Sequence, residues 1–298
     1  MFDLTYRKPR VIAEIGCNHM GDFEIAKDLV RLAKRCGAKV AKFQKRCVRE
    51  LLSADEYAAP HPNPQHAYGE TYGKHREFLE FTIRQHEALQ AYCQAQRIQY
   101  AASVWDVTSA RQIIKLDPPF IKVPSAQNNN PDLLKVLRDR YAGEVHISVG
   151  MTTHAEEEAL VAYFEATGQA RSRLVLYSCT SGYPVADQDV ALLELVRLRR
   201  TFGARVKDFG FSGHHLGIAI DIAAYTLGGA WIERHFTKDR TWKGTDHAAS
   251  LEPQGFQKLV RDLESTFHAL RYKKQDPLAV EVVQRAKLKY KTRKPGKG

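Results

Sequence analysis

The sequence predicts an α/β protein built as a single (β/α)8 TIM barrel, and three observations predict it. Eight short runs dense in β-branched and apolar residues recur along the chain, and each is followed by a segment of helical period. The alternation fills about 270 of the 298 residues, close to the ~250 usual for that fold. The doubly wound sheet, the competing architecture, needs a dinucleotide or phosphate fingerprint after its first strand, and EIGCNHMG is not GxGxxG.

The first run, RVIAEIG (10 to 16), leads into FEIAKDLVRLAKRCGA, where Ile25, Leu29, Leu32, Ala33 and Cys36 form an apolar stripe. Asp22 offers an N-cap to that helix and Gly37 a stop. VAKFQ (40 to 44) follows, and then a long connection, about 45 to 75, rich in Pro, His and Tyr, which suits a lid over the barrel mouth. The pattern resumes with a helix over 76 to 97, strand IQYAAS (98 to 103), a helix over 108 to 116, and strand FIKVPS (120 to 125). A helix over 131 to 140, strand EVHISVG (144 to 150), a helix over 154 to 167 and strand LVLYSC (174 to 179) continue it. The last units are a helix over 188 to 202, strand VKDFGFSG (206 to 213), a helix over 216 to 228, strand WIERHFT (231 to 237) and a helix over 254 to 271. The density of these strands suits burial on both faces, as in a parallel sheet. The barrel is expected over 1–272 and a basic C-terminal helix and tail over 273–298, with KLKYKTRKPGKG, from about Ala286, read as flexible.

The formal net charge is +11, but from Arg271 onward ten basic residues face two acidic ones, so the first 270 residues carry only about +3. A uniformly basic nucleic-acid-binding surface is thereby disfavoured, and no nucleic-acid partner is expected. With 44% apolar and 27% charged residues the chain is not disordered as a whole. No run approaches the ~18 apolar residues that span a bilayer, and the N-terminal stretch lacks a signal peptide's apolar segment, so no membrane partner and a cytoplasmic location are expected. Five cysteines, an odd number with no CxxC pair, fit reduced thiols.

In such a barrel the chemistry sits at the C-terminal ends of the strands. Those ends carry Glu14 with Asn18 and His19, Lys42 and Gln44, Ser103, Lys122 and Ser125 with Asn128 to Asn130, and Ser148. Ser181 and Tyr183, Ser212 and His214, Glu233 and His235, and Asp246 in the last loop complete the set. Buried Lys, Glu and His cost several kcal/mol each when unpaired. A shared anionic ligand and a metal supply the partners. Lys42 and Lys122, converging with the hydroxyls of Ser125, Ser148 and Ser212, suit a phosphate or carboxylate. His214 and His235, on adjacent strands, suit an open divalent-metal site, with Glu233 placed to orient a ligand or move a proton. His61, His66, His75, His215 and His247 read as hydrogen-bonded structural residues.

At these residues the sequence resembles the sialic acid (N-acetylneuraminate) synthase family and the related legionaminic acid and spore-coat polysaccharide synthases. The matching stretches are EIGCNHMGDFEIAKDLVRLAKRCGAKVAKFQ, IKVPSAQNNN, ISVGM, CTSGYP, GFSGHHLG and ERHFTKDRTWKGTDHAASLEP, in order across residues 11 to 253. The resemblance implies a metal-dependent condensation of phosphoenolpyruvate with an open-chain sugar aldehyde, giving a 2-keto-3-deoxy acid and phosphate. It implies His214 and His235 as ligands of Mn²⁺ or Mg²⁺. It further implies Lys42, Gln44, Lys122, Ser125, Ser148, Ser181, Tyr183 and Ser212 at the phosphoenolpyruvate site, and Glu14, Glu233 and Asp246 as the catalytic acids and bases.

Several positions depart from the family pattern. Gln127 stands where the family usually has a glutamate, ASVWD replaces STPF and is expected to put Trp105 and Asp106 in an altered wall, and Gly213 replaces the aspartate before the first metal-ligating histidine. The family's C-terminal antifreeze-like domain, which is swapped onto the partner subunit and supplies an arginine to the sugar's acyl group, is expected to be absent. A homodimer must then rest on another surface, and Arg293 or a neighbour is one candidate replacement for that arginine. The residues alone leave open another two-histidine metal barrel enzyme, an isomerase or an aldolase, and a pseudoenzyme binding an anionic partner.

Overall fold

The structure, a computed structural model, describes residues 5–290. The chain runs β1 (Arg10–Gly16), α1 (Phe23–Arg35), β2 (Val40–Lys45), α2 (Val48–Leu51), α3 (Ala54–Ala58), α4 (Tyr72–Leu79), α5 (Ile83–Ala95), β3 (Gln99–Val104), α6 (Val107–Ile114), β4 (Phe120–Val123) and α7 (Pro131–Arg140). It continues through β5 (Glu144–Ser148), α8 (His154–Glu165), α9 (Ala170–Arg173), β6 (Leu174–Cys179), α10 (Glu194–Phe202), β7 (Asp208–Gly213), α11 (Ala219–Thr226), β8 (Trp231–His235), α12 (Pro253–Ala269) and α13 (Ala279–Leu288). The eight strands pair in parallel in sequence order and close into a barrel, β8 on β1. All eight lie within two residues of the expected runs at either end.

Alternation divides each strand between two environments. Outward residues such as Ala13, Phe43, Val104, Val123, Ile147 and Leu176 are fully buried beneath the helices and form the main core. Inward residues form layers. Ile12, Val40, Ala101, Phe120, Val175, Tyr177 and Trp231 make a second apolar cluster inside the barrel. Two residues further along five of these strands stand Glu14, Lys42, Ser103, Lys122 and Glu233. One step of roughly 6.6 Å thus takes the barrel interior from hydrocarbon to charge.

His146 is the polar member set against the apolar layer. Its ring stacks on Phe120 at 3.9 Å and meets Trp231 edge-on at 4.7 Å. Nδ1 lies 2.8 Å from the Tyr177 hydroxyl and Nε2 3.1 Å from Glu144.

The segment between β2 and β3 differs most from expectation. The anticipated helix over 76 to 97 is two helices, α4 and α5, separated by a reciprocal capping box in which Thr82 accepts from the Gln85 N–H and Gln85 accepts from the Thr82 N–H. The lid is structured: α2, α3 (itself opened by a Ser53–Glu56 capping box) and α4 fold within it. The stretch 188 to 202 is helical only as α10, after a 3-10 turn at Asp187–Asp189. α13 carries no buried residue; it extends past Ala286, where a flexible tail was expected, and Arg293 lies outside the described residues. The five cysteines are free, and among the described residues no helix is long and apolar enough to cross a membrane.

The inner layer makes stability pH-dependent. Burial pushes the His146 pKa down to about 4, against the pull of Glu144, whereas the unfolded imidazole titrates near 6.5. Between those values the unfolded chain binds the extra proton, so stability falls as pH falls through that window. The urea midpoint is expected to drop between pH 6.5 and 4 by the equivalent of about 1–3 kcal/mol, and His146→Phe should flatten that part of the profile.

Candidate active site

The upper layer opens into a cavity of about 320 Å³ at the C-terminal ends of the strands. Parallel register assembles its floor. Glu14 is the register partner of both Lys42 and His235, Ser103 of Lys122, and Ser212 of Glu233. Lys42 forms an ion pair with Glu14, donates to Ser103 Oγ at 2.6 Å, and lies 3.6 Å from Glu233 Oε2. Lys122 reaches the other oxygen, Glu233 Oε1, at 2.5 Å, and its ammonium sits 4.3 Å from the centre of the Tyr177 ring. Ser212 Oγ donates to Glu233 at 2.9 Å and Gln44 Nε2 to Glu14 at 3.0 Å.

Two ammonium groups and two carboxylates are therefore buried as one neutral network. Burial opposes the charged forms of Lys42, Lys122 and Glu233, and the balance with neighbouring charges differs among the three. Lys42 faces desolvation, yet Glu14 and Glu233 hold its pKa above the ordinary lysine value. For Lys122 desolvation wins, helped by the charge of Lys42, and its pKa is lowered. Glu233, flanked by both lysines, stays well below the usual carboxylate range in spite of its burial.

Beside the charges lies a cradle of hydroxyls. Ser125 opens the 3-10 turn after β4 (Ser125–Gln127) and accepts from the Gly150 N–H at 3.1 Å. A Cβ at Gly150 would stand 2.7 Å from Ser125 Oγ and 2.8 Å from Ser181 Oγ, so the close approach of both hydroxyls requires glycine. Asn128 holds this turn by donating to the carbonyl of Ser148 and to Thr152 Oγ1, at 3.0 and 2.7 Å. The Cys179 thiol lies in the same wall and burial pushes its pKa up.

His214 and His235, just past and at the ends of the adjacent strands β7 and β8, stand side by side at the mouth, ring centres 5.6 Å apart. His214 Nδ1 is 3.1 Å from the Thr180 carbonyl, which places the proton on Nδ1 and leaves Nε2 for a ligand. Burial, and then the neighbouring His235, lower the His214 pKa to about 3. His235 Nδ1 is buried without a hydrogen-bond partner, with Asp246 Oδ2 3.8 Å away. Burial opposes the Asp246 charge, but His235 and the Thr245 hydroxyl hold its carboxyl below its ordinary value. Tyr183 covers His214 at 4.3 Å between ring centres. An orphaned imidazole nitrogen, a second one free by tautomer and an adjacent carboxylate fit a divalent first-row ion. Among the described residues no group of three or more His, Cys, Asp or Glu closes around one point.

A second cavity, about 590 Å³, adjoins the first through Gln44, Trp105, Tyr183 and His235 and contains Asp246. The lid and the β8 loop build it, joined where Tyr68 donates to the Lys243 carbonyl and Gly244 N–H to His66 Nδ1. Arg46 and Arg76 line it. The Arg46 guanidinium lies 4.2 Å from the Trp105 ring centre, pairs with Glu80 at 3.1 Å, and leaves a buried Nε without a partner.

The structure thus brings Glu14, Lys42, Gln44, Lys122, Ser125, Ser148, Ser181, Tyr183, Ser212, His214, Glu233 and His235 around one cavity, with Asp246 in the adjoining one. Asp106 is elsewhere: it caps α6 at the Ser109 N–H and accepts from the Cys47 N–H, so only Trp105 is in the wall. Asn18 donates to the Phe236 carbonyl and His19 stacks on Phe81, both as braces. The arginines were missed. Arg46 had a signal, because Lys42, Gln44 and Arg46 continue one alternation past the strand end. Arg76 had none, since the fold of the lid alone brings it here. A further cavity, about 720 Å³, lies away from all of these residues, between Arg7, Lys207 and Tyr225.

Glu233→Gln deprives both lysines of a shared counter-ion. The melting temperature is expected to fall, in keeping with the roughly 3–5 kcal/mol lost when one member of a buried pair is removed. Inorganic phosphate should restore more of it in the variant than it adds to the wild type. Equal phosphate shifts in the two proteins would contradict convergence of the lysines on one anion position.

Comparison with known proteins agrees with this geometry. The NeuB family model matches residues 29–275. The N-acetylneuraminate-9-phosphate synthase of Homo sapiens is 36% identical over 278 residues, 93% of this chain and 76% of that protein. The N,N'-diacetyllegionaminic acid synthase of Campylobacter jejuni is 31% identical over 264 residues, 89% of this chain and 78% of that one. The crystal structure of N-acetylneuraminic acid (sialic acid) synthetase from Leptospira borgpetersenii, in complex with citrate, superposes with a TM-score of 0.79 at 27% identity, covering 96% of this chain and 94% of that one. With its closed barrel, its ring of charge at the strand ends and a match over most of its length, this chain belongs to the NeuB family of sialic acid synthases.

Proposed function

We propose that the protein condenses phosphoenolpyruvate with the open-chain aldehyde of a sugar, forming a 2-keto-3-deoxy acid and phosphate. The observation that carries this reading is the meeting, in one cavity, of two buried ammonium groups and a serine–glycine cradle with a histidine pair at its rim. Lys42 and Lys122 bind the carboxylate and phosphate of phosphoenolpyruvate, and Ser125, Ser148, Ser181 and Ser212 donate to their oxygens, with Gln44 and Tyr183 beside them. C3 of the enolpyruvate then bonds to the aldehyde carbon. Water adds at C2, and the tetrahedral product loses phosphate by cleavage of the C2–O bond. Glu14, Glu233 and Asp246 handle the protons of water and of the new hydroxyl. His214 and His235, with Asp246 close by, would hold Mn²⁺ or Mg²⁺, which supplies a Lewis acid for the aldehyde oxygen and for water.

The second cavity supports a finer assignment. Two guanidinium groups in a pocket next to the histidine pair suit an acceptor with an anionic far end, and the human relative is named for a product phosphorylated at its ninth carbon. A phosphorylated amino sugar is the acceptor this favours. Five free thiols support a reducing compartment, the cytoplasm.

Phosphate release should require phosphoenolpyruvate, a divalent metal and an aldose together, with N-acetylmannosamine and its 6-phosphate as the first acceptors to try. Label placed in the bridging oxygen of phosphoenolpyruvate should leave in the phosphate; label kept in the keto acid would defeat the C–O cleavage. His214→Ala and His235→Ala should abolish turnover with an unchanged urea midpoint. Arg76→Met should raise the KM for a phosphorylated acceptor about 10–100-fold, the cost of one charged hydrogen bond, and leave the KM for phosphoenolpyruvate unchanged.

A further inference from the structure

β8 carries three consecutive polar residues, and alternation sends Glu233 and His235 into the mouth and Arg234 outward, toward α11. That outward face is elsewhere lined by residues such as Ala13 and Phe211, yet Arg234 is only 1% exposed and its full charge is buried there. Its guanidinium donates to Asp221 Oδ2 at 2.5 Å, to His215 Nε2 at 3.0 Å, to the His215 carbonyl at 2.6 Å and to the Gly217 carbonyl at 2.8 Å. The His215 and Gly217 acceptors belong to the connection from β7 into α11, Asp221 stands in the first turn of α11, and that connection begins at His214.

The strand side is fixed as well. The register partner of Arg234 on β7 is Gly213. A Cβ on Gly213 would stand 2.8 Å from Cε1 of His215, so the absence of a side chain there makes room for the His215 ring against the guanidinium. On one side of His214, His215 is therefore held by the Arg234 side chain, and on the other Gly213 is held by backbone pairing with β8. From within the barrel, His214 has the Val185 N–H on its carbonyl and the Thr180 carbonyl at its Nδ1, each at 3.1 Å, with Cys179 Sγ 3.9 Å from the same nitrogen and the Tyr183 ring over it. His235 is the neighbour of Arg234 in sequence, so one buried cation touches the supports of both imidazoles.

We propose that Arg234, braced by Asp221 and His215, is a positioning residue that seats His214 beside His235 and so keeps its Nδ1–H on the Thr180 carbonyl. The metal part of this inference rests on the reading of the two histidines as metal ligands; the tautomer part does not. A planar guanidinium with several donors suits the task, because it can satisfy two carbonyls, an imidazole and a carboxylate in fixed directions, which an ammonium cannot.

Arg234→Leu alone strands the Asp221 carboxylate and is a poor probe. Two better variants are Arg234→Met/Asp221→Leu, which removes both charges, and Arg234→Lys, which keeps the charge but loses the fork. Long-range ¹H–¹⁵N spectra of the full-length protein should show His214 locked as the Nδ1–H tautomer in the wild type and averaged in the variants. Mn²⁺ affinity by calorimetry should fall about 10–100-fold, while affinity for inorganic phosphate, which depends on the lysines, stays within about twofold. A wild-type tautomer with unchanged Mn²⁺ affinity in whichever variant folds would overturn the proposal. His214→Ala separates the two readings: if it binds Mn²⁺ as the wild type does, the metal assignment falls, and the tautomer measurement still decides the role of Arg234.

Discussion

The rest of this structure depends on the neutral network of Lys42, Lys122, Glu14 and Glu233 on the barrel axis. Four charges withdrawn from water are tolerable only when each finds an opposite charge at close range, and the parallel register brings Lys42 to Glu14 and Lys122 to Glu233. The network also explains how a site so short of free charge can take an anion. On the proposed function, ligand oxygens would share the lysines with carboxylates already in place, so that binding would redistribute hydrogen bonds and leave no isolated ammonium in the interior.

Everything around the network divides the remaining work. The apolar layer beneath supplies stability, the hydroxyl cradle supplies donors of fixed direction, and the histidine pair stands at the rim, where the second cavity begins. The lid is the largest addition to the plain barrel. By lying across the β8 loop at Tyr68 and His66 it gives the second cavity a wall that the strands alone do not provide.

Much of this was legible in the sequence, because strand ends in a parallel barrel obey period two. Glu14, Lys42, Lys122, Ser212, Glu233 and His235 could be assigned to the mouth by alternation alone. What stayed hidden depends on long-range folding. The break between α4 and α5 was written in Thr82 and Gln85, yet the apolar period runs through it. Asp106 was read as wall when the N-cap rule places it at the start of α6. The counter-ion role of Glu14 and Glu233 could not be seen, since which carboxylate faces which lysine is fixed by barrel closure.

The alternation of Ala41, Lys42 and Phe43 has a consequence for folding. If β2 paired one residue out of register, Phe43 or Ala41 would enter the mouth and the Lys42 ammonium would be driven among the apolar faces of the helices, with Glu14 left alone. The same holds for β4 and Lys122 and for β8 and Glu233. A misaligned strand therefore loses a charge partner as well as apolar contact, and the penalty is far steeper than hydrophobic mismatch alone would impose. The ring of charge acts as a proofreader of strand alignment: the residues that make the site also reject the wrong barrel.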